Sequence, residues 1–220
     1  MAYSIIIPVY NEARTLNVLL SRLHFFHNLG HEIIIIDDGS TDSSSYIFKD
    51  HPFINLVKLN KNYGKGAALR KGFKYISHKK VIIYDGDLEI DIQELSKFMF
   101  LSKKETSIMG TRYETLKPSK SSIDWGNFMF TVFFNLINMT CHKDILCCAK
   151  SFYIKDIPIH KLKSTGFDID VELSYFLSKN SRGKKITQVP LKYNRRSIKD
   201  GKKLRIIDGW VILKRILFTF

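Results

Sequence analysis

Cysteine is scarce, with only Cys141, Cys147 and Cys148 in 220 residues. Three closely spaced thiols make no disulfide framework, and no CxxC pair or paired histidine motif accompanies them. They read as buried or idle thiols in a reducing compartment. Long apolar runs are also missing: no 18 consecutive apolar residues occur, which argues against a spanning helix. A strand pattern begins within the first few residues and predicts no secretion signal. There is no internal repeat, low-complexity tract or linker, no GxxxxGK[ST] phosphate loop and no RNA- or DNA-binding motif. No activated histidine or nucleophile is evident. Acidic residues are sparse at one end, where residues 179–220 carry 13 Lys/Arg against 2 Asp, or +11 of the total +14. A basic tail on a nearly neutral body predicts one anionic partner met by that end.

What is present suits one sizeable globular domain, with 45% apolar residues, 12 Gly and 5 Pro. Apolar strand patterns at 3–9, 32–37, 54–59, 81–85 and 107–110 alternate with helical patterns starting near Glu12, Ser43, Lys65 and Ile92. This alternation predicts an α/β fold with a mostly parallel sheet and flanking helices. Further on, 125–139 reads as an apolar helix, 151–154 as a short strand, 166–178 as an amphipathic helix and 186–193 as a strand. Residues 203–220 read as a basic amphipathic C-terminal helix.

The segment VIIYDGDLE (81–89) carries the strongest chemical signal. A buried strand ends there on Asp85 and Asp87, with Gly86 between them admitting a close approach to a ligand. Carboxylates at that spacing repel unless a cation lies between them, and hard divalent cations prefer oxygen ligands. Other polar motifs fall at strand ends, the edge where open α/β sheets bind ligands. SIIIPVYNE (4–12) ends on a polar and aromatic rim suited to a nucleobase and ribose. IIIIDDGSTD (33–42) ends on two carboxylates. NYGKGAALRKG (62–72) sets Lys65 between two glycines at a helix start, where amides and an ammonium can hold phosphate. IMGTRY (108–113) sets Arg112 after a buried strand.

With GFDIDVEL (166–173) and ITQVPLKY (186–193), this ordered set resembles the family 2 glycosyltransferases of GT-A (Rossmann-like) fold. The polyprenyl-phosphate glucosyl- and mannosyltransferases are the nearest type, and the likeness covers nearly the whole chain. The resemblance implies that Pro8, Tyr10, Glu12, Asp38, Gly39, Asp85 and Gly86 contact a nucleotide sugar, with Lys65 near its phosphates. It implies that Asp85 and Asp87 hold Mg2+ or Mn2+, with Glu89 where relatives often have a metal-reaching Gln. Asp87, Arg112 and Lys65 would carry catalysis. Arg112, Arg195, Arg196, Lys202, Lys203 and Trp210 would meet a polyprenyl phosphate and an anionic membrane surface, with a membrane protein as a further possible partner and no nucleic acid. The implied organisation is a single domain over 1–220: a nucleotide-sugar half (1–112), an acceptor half (113–202) and an interfacial helix (203–220). The implied reaction is inverting transfer of a hexose, from UDP-glucose first or GDP-mannose next, at the cytosolic face of a membrane.

Three departures bear on acceptor handling. DILCCAK (144–150) replaces the DTxCGFK of many relatives, residues 123–130 lack an expected Arg, and Gly201-Lys202-Lys203-Leu204 replaces GSK[LV]. A family 2 enzyme acting on a sugar hydroxyl in surface polysaccharide synthesis is the alternative, with Asp144 or Asp168 as its base. A nucleic-acid-binding protein and a non-catalytic relative are two more. Plainer roles also exist for single residues. Glu12 or Asp37 could cap helices, and Asp168, Asp170 and Glu172 could form a solvated face. His24 and His27 could be surface residues, and Phe128, Phe130, Phe133 and Phe134 core or membrane contact.

Overall fold

The computed structural model describes residues 1–114, 122–181, 183–196, 203 and 206–218. Its centre is a seven-stranded sheet of order β3-β2-β1-β4-β6-β5-β7. The strands are β1 (Ser4–Val9), β2 (Glu32–Asp37), β3 (Ile54–Lys58), β4 (Lys80–Ile83), β5 (Glu105–Thr111), β6 (Lys150–Tyr153) and β7 (Lys185–Pro190). All pairs are parallel except those of β6, which runs antiparallel between β4 and β5. The C-terminal ends of β1, β2, β4, β5 and β7 therefore share one edge.

The helices are α1 (Ala13–Asn28), α2 (Ser44–Ile47), α3 (Lys65–Gly72), α4 (Ser122–Asn138), α5 (Ile169–Lys179) and α6 (Ile206–Phe218). β1 shows why the layers form. Ile5, Ile7 and Val9 face one side with Leu16, Leu19 and Leu23 of α1, while Ile6 faces the other with Ile34, Ile36 and Leu69. Side chains alternate along a strand, so a strand covered on both faces must be apolar throughout. A third cluster joins α4, α5 and α6 through Phe134, Val171, Ile212 and Ile216.

The expected strands and most of the expected helices are present. Two elements differ from expectation. The helical pattern near Ile92 is a 3-10 helix, Ile92–Phe98, whose first turn is set by Asp91 accepting from Gln93 N. The terminal helix spans Ile206–Phe218 within the expected 203–220, and Lys203 precedes it. Lys202 and Arg205 lie outside the described residues. No helix among the described residues is long and apolar enough to cross a membrane.

Candidate functional site

The sheet edge gathers most of the expected site residues. Asp85, Asp87, Glu89 and Arg112 line one small cavity of about 40 Å³ with Tyr84, Cys148 and Tyr193. That volume holds a water or an ion and no more, so any nucleotide would lie across the open edge beside it. Lys65, the first residue of α3, reaches the acidic pair: its Nζ lies 2.9 Å from Asp85 Oδ1 and 2.9 Å from Asp170 Oδ2. Burial pulls the Lys65 ammonium down, but Asp170 and then Asp85 outweigh it and hold its pKa well above the ordinary lysine value.

Asp87 is under-compensated. Burial, then the charge of Asp85, pushes its carboxyl up to about 7. Lys65 Nζ lies close to both oxygens of Asp85, 2.9 Å from Oδ1 and 3.0 Å from Oδ2. Leu88, between Asp87 and Glu89, sits at φ 58, a left-handed conformation uncommon for a branched residue. Two carboxylates lining one cavity, with Asp87 raised by the charge of Asp85, make a hard-oxygen donor set that fits a divalent cation. Among the described residues no three His, Cys, Asp or Glu side chains form a metal-holding group, so the fit is to a pair whose other ligands come from a bound molecule. Glu89 is turned to other partners, with Oε2 accepting from Tyr193 Oη at 2.8 Å and Oε1 from Arg196 N at 2.9 Å.

The remaining residues have defined partners. Glu12, 5% exposed, makes no side-chain cap; it takes Arg196 Nη1 at 2.9 Å and Lys203 Nζ at 2.5 Å. Lys203 also donates to the Tyr10 carbonyl oxygen and lies 5.6 Å from the Tyr10 ring centroid. Asp37 does not cap the next helix, whose N-cap is Ser43; it accepts from Ser40 N in the turn after β2. Asp38 does not face outward: its carboxylate accepts from Tyr63 N and Gly64 N at 2.9 and 2.8 Å, anchoring the approach to α3. Gly39 has φ +71, and a Cβ there would lie 2.3 Å from the Lys61 carbonyl carbon, so only glycine fits. Pro8 is half-buried between the buried Ile7 and Val9 of β1, and Gly86 packs against Val9 and Ile7.

Arg112 is bound in a fork to Asp144, with Nε–Oδ2 2.7 Å and Nη2–Oδ1 2.8 Å. Arg195 pairs with Asp124 on α4. Trp210 on α6 is 67% exposed and stands apart from the cavity, in a band with Ile207, Val211, Leu217 and Phe218.

The solvated-face reading of α5 is overturned. Asp168, Asp170 and Glu172 are 2, 3 and 1% exposed. Asp170 binds Lys65 and the fully buried Lys150, and Arg215 of α6 binds Asp168 and Glu172. The signal was present: Ile169, Val171 and Leu173 interleave these acids, and Lys150 falls beside an apolar strand pattern, so buried charges of both signs were available to pair. Nothing in the sequence pointed to Tyr193 as the partner of Glu89. Cys147 and Cys148 are buried and Cys141 exposed, all free.

An open, mostly parallel sheet with its polar residues at the C-terminal strand edge is a ligand-binding α/β layout. The profile of Glycosyl transferase family 2 matches residues 4–154, and the chain belongs to that family. It is 38% identical over 117 residues to an undecaprenyl-phosphate 4-deoxy-4-formamido-L-arabinose transferase of Pseudomonas syringae pv. syringae, covering 49% of this chain and 34% of that protein. The protein of the same name from Yersinia enterocolitica is 34% identical over 116 residues, covering 49% and 36%. The matched stretch is thus about a third of these relatives' length. Among solved structures, glucosyl-3-phosphoglycerate synthase of Mycobacterium tuberculosis with Mn2+, uridine diphosphate and phosphoglyceric acid superposes with TM-score 0.69 at 14% identity, covering 98% of this chain and 77% of that one. Mannosyl-3-phosphoglycerate synthase of Rubrobacter xylanophilus gives 0.69 at 13% identity, covering 99% and 72%. These likenesses establish the GT-A fold.

Proposed function

We propose that the chain is a metal-dependent inverting glycosyltransferase that moves a hexose from a nucleotide-diphosphate sugar to a polyprenyl phosphate at the cytosolic face of a membrane. The observation that carries this reading is the Asp85/Asp87 pair, lining one cavity with Lys65 alongside, at the C-terminal edge of a family 2 sheet. The names of the relatives support the lipid phosphate. Neighbours holding Mn2+ or Mg2+ with uridine diphosphate support a uridine donor, with UDP-glucose ahead of GDP-mannose.

In this reading the carboxylates of Asp85 and Asp87 would hold the cation, which would supply Lewis-acid charge for the leaving diphosphate. Lys65 adds fixed positive charge on the same side. Tyr10, Glu12 and the Asp38–Gly39 turn receive the nucleoside, and Glu12 exchanges Arg196 or Lys203 for a ribose hydroxyl. Arg112, Arg195 and Arg196 lie towards the acceptor. Residues 1–112 serve the donor, 113–202 the acceptor and 203–220 the membrane interface. A phosphate monoester is already anionic near neutral pH and attacks the anomeric carbon without a strong base. That suits this site, because Asp144 is committed to Arg112 and Asp168 to Arg215, leaving neither free to serve a sugar-hydroxyl acceptor.

The test is transfer of radiolabel to undecaprenyl phosphate from UDP-glucose, GDP-mannose and nucleotide-linked 4-deoxy-4-formamido-L-arabinose. Parent protein and Asp87→Asn are assayed with Mn2+ or with excess chelator. Label should enter lipid only with the parent and the cation. Full transfer in chelator overturns the metal role, and labelling of a sugar hydroxyl in place of polyprenyl phosphate overturns the acceptor.

A further inference from the structure

Lys214 and Arg215 are neighbours on an amphipathic helix, and by sequence both belong to a basic lipid-facing surface. The fold separates them. Lys214 is exposed, whereas the Arg215 side chain is 15% exposed and turned towards α5. Its Nε and Nη2 each lie 2.8 Å from Asp168 Oδ2, and Nη1 is 3.8 Å from Glu172 Oε1.

Those two carboxylates also hold backbone. Glu172 accepts from Lys163 N and Ser164 N, both at 2.9 Å, and Asp168 Oδ1 accepts from Gly166 N at 3.2 Å. The turn so fixed, residues 163–166, lies against the start of α3, where Ala67 N donates to Thr165 O at 3.1 Å. A Cβ on Gly66 would come within 2.6 Å of Ser164 O, and one on Gly64 within 2.4 Å of Thr165 O. Between those glycines stands Lys65, whose ammonium contacts Asp85. Arg215 is thus the outermost link of a continuous chain of contacts running from α6 to the acidic pair.

We propose that Arg215 is a positioning residue for the donor site, fixing through Asp168 and Glu172 the turn on which the start of α3 and Lys65 are seated. This rests on the reading that Lys65 faces the donor phosphates. Removing the guanidinium leaves two buried carboxylates one helical turn apart with no opposite charge, and the turn they hold loosens under their repulsion. Arginine suits the position because its fork engages both acids at once, which a lysine cannot do.

The test is calorimetric titration of uridine diphosphate with Mn2+ in lipid-free buffer, with GDP as a second probe, alongside binding to anionic vesicles. Arg215→Gln is expected to weaken nucleotide binding about tenfold without lipid present, and Arg215→Lys to lie between it and the parent. Lys214→Gln removes the same charge from α6 and is expected to act on vesicle binding. If Arg215→Gln fails to fold, Arg215→Lys decides, because a purely structural role would lower its melting temperature while leaving its nucleotide affinity at the parent value. Parent-like affinity in a folded Arg215 variant overturns the inference and leaves the functional reading standing. Failure of the parent to bind either nucleotide overturns both.

Discussion

Replacing Asp170 by Asn tests the buried charge network at its centre. Asp170 is 3% exposed, with Oδ2 2.9 Å from Lys65 Nζ and Oδ1 3.4 Å from Lys150 Nζ. Lys150 is fully buried, and its other partners are the carbonyl oxygens of Ile145 and Cys147. Asn has nearly the same shape, so no cavity forms and the lost charge dominates. Breaking a buried pair by removing one partner costs about 3–5 kcal/mol, a large share of the roughly 5–15 kcal/mol that holds a domain folded. At about 2–4 °C per kcal/mol for a chain of this size, the melting temperature should fall by roughly 6–20 °C. Urea unfolding followed by circular dichroism should show a lower midpoint with an unchanged slope. Burial raises the Asp170 carboxyl, but Lys65 and Lys150 outweigh it and hold it below its ordinary value. Its stabilisation is therefore present above the unfolded pKa, and the gap between parent and variant should close as pH falls below about 4. The double variant Asp170→Asn/Lys150→Met should recover more than half the loss, because it removes the stranded cation as well. A single variant within about 1 kcal/mol of the parent refutes the reasoning, as does a double variant no better than the single.

Burial, then the charge of Lys150, pulls His142 down to about 4. The unfolded chain takes up that proton below about 6.5, so stability should drop by about 3 kcal/mol as pH falls from 6.5 to 4. Urea midpoints across that window should show the drop, and His142→Gln should flatten it. Gly64→Ala places a Cβ 2.4 Å from Thr165 O at a φ of +94. About 1–3 kcal/mol of strain is expected, with nucleotide affinity falling further than the melting temperature explains; unchanged affinity would count against a role for the α3 start. Trp210→Ser should weaken binding to anionic vesicles about tenfold through lost apolar burial, and raised salt should weaken parent binding. Equal vesicle sedimentation of parent and variant would remove α6 from the interface.

The sheet was legible because strands buried on both faces must be apolar: runs such as IIII at 33–36 have no other comfortable setting. The antiparallel insertion of β6 was not, since its four residues carry no signal for direction. In the site, the Asp85/Asp87 pair was readable because its spacing is local. Partnerships such as Arg112 with Asp144, Glu12 with Arg196 and Glu89 with Tyr193 join residues 32 to 184 positions apart, and no local pattern encodes them. The acids of α5 show the limit most clearly. On the helix alone Asp168 and Glu172 share one face and Asp170 points elsewhere, and only Lys65, Lys150 and Arg215 from three other elements make their burial tolerable.

The place of β6 in the sheet has a consequence for how the chain is made. β1, β2, β3 and β4 pair only among themselves until β6 arrives, and all four lie before residue 84. Their pairing can begin on the ribosome, but one long edge of β4, Lys80–Ile83, has no neighbour until residues 150–153 emerge. At about 5–20 residues per second that wait is roughly 3–13 s. An unpaired apolar edge is a template for pairing with another chain. The nascent β1–β4 segment is therefore most prone to aggregate during that interval, and slowing translation across residues 84–149 should lower the soluble yield.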